Sequence, residues 1–477
     1  MQAIDFDADW RFHLGDSGSA LWRRLDDSRW RRLDLPHDWS IELGRSPDAP
    51  SGASGGYFQT GRAWYRKRFE APESWASQHV RIEFEGVYMN AEVWLNGDLL
   101  IRHPYGYTTF HLDLTPHLKF GEENLLQVVV DNGAQMNSRW YSGSGIYRHV
   151  RLLVGGPQHV APWGVYVTTP VVSAEHATVN VETTLVNHNP AAAYATLRSH
   201  VIAPDGTVLA SAESATVVAA GLFEMVAQEM MVGEPALWSP ESPTLYHLRT
   251  ELLVEGEVVD TALTPFGIRS LVFDASQGFL LNGEPTLLRG GCVHHDDGVM
   301  GAASYDRAEE RKVEVLKANG YNAIRCAHNP PAPAFLNACD RLGMLVIDEA
   351  FDCWREGKTP YDYHVAFADW WQRDLDSMVL RDRNHPSVIM WSIGNEIGER
   401  NGSSDGVAWA QRLAGRVREL DPTRPVTSGV NGFGMGADAS WPETDAIFGA
   451  LDVCGYNYQE RRYRPDHELH PDRVIYG

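Results

Sequence analysis

What the chain lacks narrows its function first. No apolar run approaches the ~18 residues that a membrane-spanning helix needs, so the sequence predicts no membrane partner. No block of Lys and Arg occurs, and the formal net charge is −22. The basic stripe of a nucleic-acid binder is missing, which argues against nucleic acid and is compatible with a neutral ligand such as a sugar. Cysteine is scarce, and Cys292, Cys326, Cys339, Cys353 and Cys454 are odd in number, late in the chain and without a CxxC pair. A secreted disulfide framework would spread across the domains, and a thiolate zinc site would need paired spacing, so free, mostly buried thiols are expected. The opening "MQAIDFDADWRFHLGD" carries acids where a secretory signal has an apolar segment, which predicts a cytoplasmic location.

What is present points to several domains. A chain of 477 residues exceeds what one hydrophobic core serves. Its 43% hydrophobic content is that of a folded protein. Short alternating runs fill the first half. In "VRIEFEGVYMNAEVWLNGDLLIRH" apolar and polar residues alternate, and Asn96-Gly97 supplies a two-residue hairpin turn. These runs predict a jelly-roll-like β-sandwich over residues 1–156 and an immunoglobulin-like β-sandwich over 157–267.

The pattern then alternates strand and helix. "TLLRGGCVHH", "YNAIRCAHN", "MLVIDEAF", "VIMWSIGNE", "RPVTSGV", "LDVCGYNY" and "RVIYG" read as strands, with amphipathic helices between the earlier ones. Strict alternation predicts a parallel sheet, and seven strand signals over 268–477 fit an incomplete (β/α)8 TIM barrel. The expected whole is therefore a multidomain β plus α/β protein.

In such a barrel the active residues sit at the C-terminal ends of the strands. The first strand ends in His294, His295, Asp296 and Asp297, the second in Arg325, His328 and Asn329, and the third in Asp348-Glu349. The fourth ends in Asn395-Glu396 and the sixth in Tyr456 and Tyr458. "HHDDG" is open to three readings: a metal cluster, a sugar-binding histidine, or loop packing. Arg325 with Asp348 or Glu349 reads as a buried ion pair that could also orient a catalytic group. Asn395-Glu396 is the sharpest signal. A carboxyl partly desolvated by Trp391 could protonate a leaving oxygen, and glycoside hydrolysis pairs such an acid with a second carboxylate. The 16 tryptophans suit stacking on sugar faces, most of them being structural.

"LPHDWSIE", "AWYRKRFE", "VWLNG", "SGSGIYRHV", "LLRGGCVHHD", "NAIRCAHNPP", "VIDEAF" and "RDRNHPSVIMWSIGNE" together resemble glycoside hydrolase family 2, the β-galactosidases, β-glucuronidases and β-mannosidases. "HHDDGVMGAA" and "FDCWREGK" look most like a bacterial β-galactosidase branch. The resemblance implies a carbohydrate substrate, with Glu396 as general acid/base and Asn395 as its sugar-binding neighbour. His328, Arg325, His294, Asp348 and Glu349 would line the sugar, and Tyr458 would sit beside the nucleophile. Arg139, followed by Trp140, stands where many members carry an Asp that reaches toward the sugar, and Cys292 replaces a common Asn. The family nucleophile, a Glu closing strand seven, has no match in this chain, and Glu460 and Glu468 lie in the loop after strand six. The expectation is a chain that stops at strand seven and is inactive alone. The resemblance also admits Mg²⁺ near the site and assembly of identical copies. Two alternatives stay open: a glucuronic acid or mannose substrate, and a carbohydrate-binding protein without catalysis.

Overall fold

The structure is a computed structural model and describes residues 1–17, 21, 23–402, 404–432 and 441–477, with only the backbone of Ser404. Two antiparallel sheets make the first sandwich. One pairs Gln2–Asp5, Val150–Gly155, His79–Phe84 and Phe110–Asp113 in that order. The other runs Arg31–Leu33, Trp10–Leu14, Arg62–Glu70, Glu123–Asp131, Ala91–Leu95, Asp98–His103. Alternation decides which face is buried: Val80, Ile82 and Phe84 point inward against Val128, Val130, Val93 and Leu95. Asn96 and Gly97 take φ of 55° and 104°, the left-handed pair that a tight hairpin turn needs.

A second sandwich follows, in which three strands (Gln158–Val172, His176–Asn187, Phe223–Gly233) face four (Val208–Val218, Ala193–Ile202, Tyr246–Val254, Glu257–Phe266). This is the immunoglobulin-like layering.

The remainder is a curled parallel sheet whose seven strands neighbour one another in chain order. They are β1 Gly290–Val293, β2 Ala323–Cys326, β3 Leu345–Glu349, β4 Val388–Asn395, β5 Val426–Val430, β6 Cys454–Tyr456 and β7 Ile475–Tyr476. Helices α1 Asp306–Ala318, α2 Pro333–Leu342, α3 His364–Asp382 and α4 Ser404–Leu420 cover its outer face. Prolines suit the first turn of α2, and Gly343 ends it in the left-handed conformation. Three short antiparallel strands within 271–285 close the bottom of the barrel, where Leu281 and Trp238 of the second sandwich pack on Ala323, Leu345, Ile347 and Met390. Among the described residues no helix is long and apolar enough to cross a membrane. All five cysteines are free thiols, four buried and Cys292 exposed.

The stretch "LPHDWS" has a structural job. Asp38 of "LPHDWS" accepts hydrogen bonds from the backbone N–H of Ser40 (2.9 Å), Ser144 (2.8 Å) and Ala302 (2.8 Å), and from the Tyr141 hydroxyl (2.5 Å). A single buried carboxylate thereby ties the first sandwich to the loop after β1.

Candidate active site

Strand alternation puts Leu345, Ile347 and Glu349 of β3 on the inside of the barrel. Glu349 is fully buried and held from three sides. Arg325 of β2 donates to its Oε2 through Nε (3.0 Å) and Nη2 (2.6 Å), Ser392 of β4 donates at 2.5 Å, and His328 Nδ1 meets Oε1 at 2.6 Å. Burial pushes the Glu349 carboxyl up, yet Arg325 and His328 hold it below the usual range, so it stays ionised. The Arg325 guanidinium reaches Asn395 Oδ1 (2.9 Å) and Asn457 Oδ1 (3.2 Å). Gly429 of β5 makes room for it, because a Cβ there would lie 2.4 Å from Arg325 Nη2.

β4 delivers the two residues that end it. Its pairing with β5 is irregular between Ser392 and Asn395, and such a bulge re-aims the side chains that follow. Glu396 leaves the strand at φ 46°, its N–H donating to Gly429 O at 2.6 Å. Gly394 is required by packing, since a Cβ would meet Ile397 Cγ2 at 2.9 Å and Trp354 Nε1 at 3.0 Å. Asn457 Nδ2 donates to Glu396 Oε1 (3.1 Å) and to Asn395 Oδ1 (3.1 Å). The Glu396 carboxylate lifts the phenol of exposed Tyr458 above its ordinary range.

The first sandwich completes the cleft. Arg139 forms a two-point ion pair with Asp352 (Nη2 2.6 Å, Nε 3.0 Å), and its Nη1 lies 3.8 Å from Glu396. Lys358 Nζ bonds Asp352 Oδ1 (2.7 Å) and Asn395 O (2.6 Å), while Asn395 Nδ2 bonds Asp352 at 2.9 Å. Burial pushes the Asp352 carboxyl up, but Arg139 and Lys358 bring it well below the carboxylate range. Trp140 stacks on His294 (centroids 5.0 Å apart) and meets the His328 ring edge-on at 5.7 Å, forming an aromatic wall. The result is a polar cleft in which the Glu396 carboxylate is flanked by an amide, a phenol and a guanidinium.

Comparison with known proteins shows the family of the three domains. Three family models match in order: the sugar binding domain of glycosyl hydrolases family 2 over residues 56–155, the family 2 domain over 158–269, and the family 2 TIM barrel domain over 274–448. The chain belongs to glycoside hydrolase family 2. A β-galactosidase of Bacteroides ovatus is 46% identical over 96% of this chain and 56% of its own length. A β-glucuronidase of Bacteroides fragilis is 28% identical over 94% of this chain and 65% of its own. The crystal structure of a family 2 member from Bacteroides cellulosilyticus superposes with a TM-score of 0.96 at 46% identity, covering 100% of this chain and 61% of that one. The chain thus spans little more than half the length of such relatives.

Within this family 2 barrel, Glu396, Asn395, Tyr458, Arg325, His328, His294, Glu349, Arg139 and Trp140 are brought to one cleft. Asp348 is not. It sits on the opposite face of β3 from Glu349, fully buried beside Asp382 and Arg381 of α3, where burial and Asp382 raise its carboxyl well above the usual range. Trp391 also departs from expectation. It faces the helix layer and donates to Asp421 Oδ2 at 2.8 Å, so it does not desolvate Glu396. Of the adjacent histidines, His294 faces the cleft while His295 is buried, its Nε2 3.0 Å from Ser142 O. Glu468 lies on a short helix, paired with Arg464 at 3.0 Å. Asp352, Lys358, Asn457 and Gly429 were missed by sequence reasoning; the first two sit inside "FDCWREGK", a stretch noticed as a whole but not residue by residue. The donor set does not fit Mg²⁺ well. The carboxylates of Glu349 and Asp352 are already satisfied by cationic and N–H donors, whereas Mg²⁺ wants free oxygen ligands in an octahedron.

Proposed function

We propose that this chain carries the acid/base half of a retaining β-glycosidase acting on terminal β-galactosides. The observation that supports it best is the placement of Glu396 beside Asn457 and Tyr458, with Arg139 no nearer than 3.8 Å, whereas Glu349 and Asp352 are each held by short ion pairs. Glu396 protonates the glycosidic oxygen as its bond to the anomeric carbon breaks, and a second carboxylate attacks that carbon. Glu396 then takes a proton from the water that releases the sugar. Glu349 and Asp352 are unsuited to attack, since each is fixed by ion pairs, so the nucleophile is assigned to the remainder of the whole protein. The relative named as a β-galactosidase at 46% identity favours galactose, and Mg²⁺ has no step in this scheme.

The test uses Glu396→Gln in the whole enzyme on a panel of aryl glycosides. Loss of orders of magnitude with poor leaving groups and far less with good ones supports the acid role. Equal turnover by both enzymes on both substrates removes Glu396 from the mechanism. Preference for glucuronides or mannosides over galactosides would overturn the galactose assignment alone.

A further inference from the structure

Away from the cleft, three histidines meet where the two sandwiches join. His79 opens a strand of the first sandwich and pairs with Gly155 across the sheet. His159 lies on the first strand of the second sandwich, and His188 follows the next strand. One ring nitrogen or another of each lies within 4.8 Å of the others. His79 and His159 are buried; His188 is exposed.

We propose that His79, His159 and His188 form a binding site for one divalent transition-metal ion of the zinc class, stapling the junction between the sandwiches. Imidazole nitrogen is a preferred ligand for such ions. Two features of the surroundings are those of a prepared ligand set. His159 Nδ1 is 2.9 Å from Gly156 O, a contact in which Nδ1–H donates and Nε2 keeps its lone pair; that Nε2 is buried and has no hydrogen-bond partner. A backbone carbonyl that fixes the tautomer of a ligating histidine is the usual outer-shell arrangement. The backbone also holds His188 beside His159, through the hydrogen bond from His188 N to Pro157 O at 2.9 Å. Asp113 Oδ1, 3.8 Å from His79 Nε2, offers a nearby carboxylate oxygen.

Two adjustments accompany binding. His79 and His188 now stack with centroids 3.8 Å apart and planes 9° from parallel, so their lone pairs do not converge. The exposed His188 ring is the one free to turn and gives the ion its way in. Arg81 Nε donates to His79 Nε2 at 2.9 Å and must release that nitrogen, with Asp113 across the ladder as its alternative partner.

The test is a titration of chelator-stripped protein with Co²⁺ and then Zn²⁺ near pH 7.5. One Co²⁺ per chain, with visible ligand-field absorption that Zn²⁺ abolishes, is expected, together with a Tm raised by Zn²⁺. His188→Ala, at the exposed position, weakens binding roughly tenfold or more, and His159→Ala does the same if it folds. Arg81→Ala tightens binding several-fold by removing the competing donor and its charge. Absence of stoichiometric binding to the unaltered protein, or binding that His188→Ala and Arg81→Ala leave unchanged, overturns the site.

Discussion

At the scale of single residues, Glu396 depends on neighbours from β5, the end of β6 and the first sandwich. Asn457 is the most informative of these, because its amide touches Glu396 directly while its oxygen accepts from Arg325. Hydrogen bonds to charged groups are worth about 1.5–3 kcal/mol, so Asn457→Ala lowers kcat/KM by about ten- to hundredfold. Steady-state kinetics on an aryl galactoside measures this, and a change below twofold would remove Asn457 from the machinery. The sequence exposed Glu396 because a strand rarely ends on an amide and a carboxylate after an apolar run. It hid Asp352 and Lys358: Asp352 takes Arg139, 213 residues away, as its partner, and Lys358 bonds that same carboxylate. Pairing across domains leaves no trace in local spacing.

At the scale of elements, strand periodicity explains both the successes and the errors. The seven parallel strands were legible from alternation with helices, and their order in the sheet is their order in the chain. Which of two adjacent acids faces the cleft was not legible: Asp348-Glu349 reads as a pair, and only the phase of β3 sends one inward and the other to α3. The same rule turns Trp391 outward. Close packing of a glycine against a functional side chain was equally invisible. Gly429→Ala would press a Cβ to 2.4 Å from Arg325 Nη2, and overpacking of this kind costs about 1–3 kcal/mol. Chemical denaturation should show that loss, with activity falling as Arg325 is displaced. Unaltered stability together with full activity would mean that the guanidinium can shift freely.

At the scale of the whole molecule, docking of the first sandwich on the barrel positions Arg139 and Trp140. Asp38 is one fastening and His149 another, its Nδ1 2.5 Å from Asp7 and its Nε2 3.0 Å from Asp306 of α1. Burial pushes His149 down, but Asp7, Glu85 and Asp306 outweigh it and raise it to about 9. A raised histidine contributes stability that is complete below its unfolded value near 6.5 and lost as pH climbs through about 9. Stability should therefore decline between those limits, and His149→Gln should flatten the decline; Tm measured across that window decides it. The division into two sandwiches and a barrel could be read from changes of periodicity, whereas these fastenings could not, since each joins residues more than a hundred positions apart.

The central claim is that Glu396 is the acid/base of a retaining reaction, and azide rescue tests it most directly. Glu396→Ala in the whole enzyme, given an aryl galactoside with a good leaving group, should accumulate glycosyl-enzyme that azide attacks without needing a general base. Restored turnover with a β-galactosyl azide product is the predicted result. No rescue, or an α-azide, would contradict the account, the latter by making Glu396 the nucleophile.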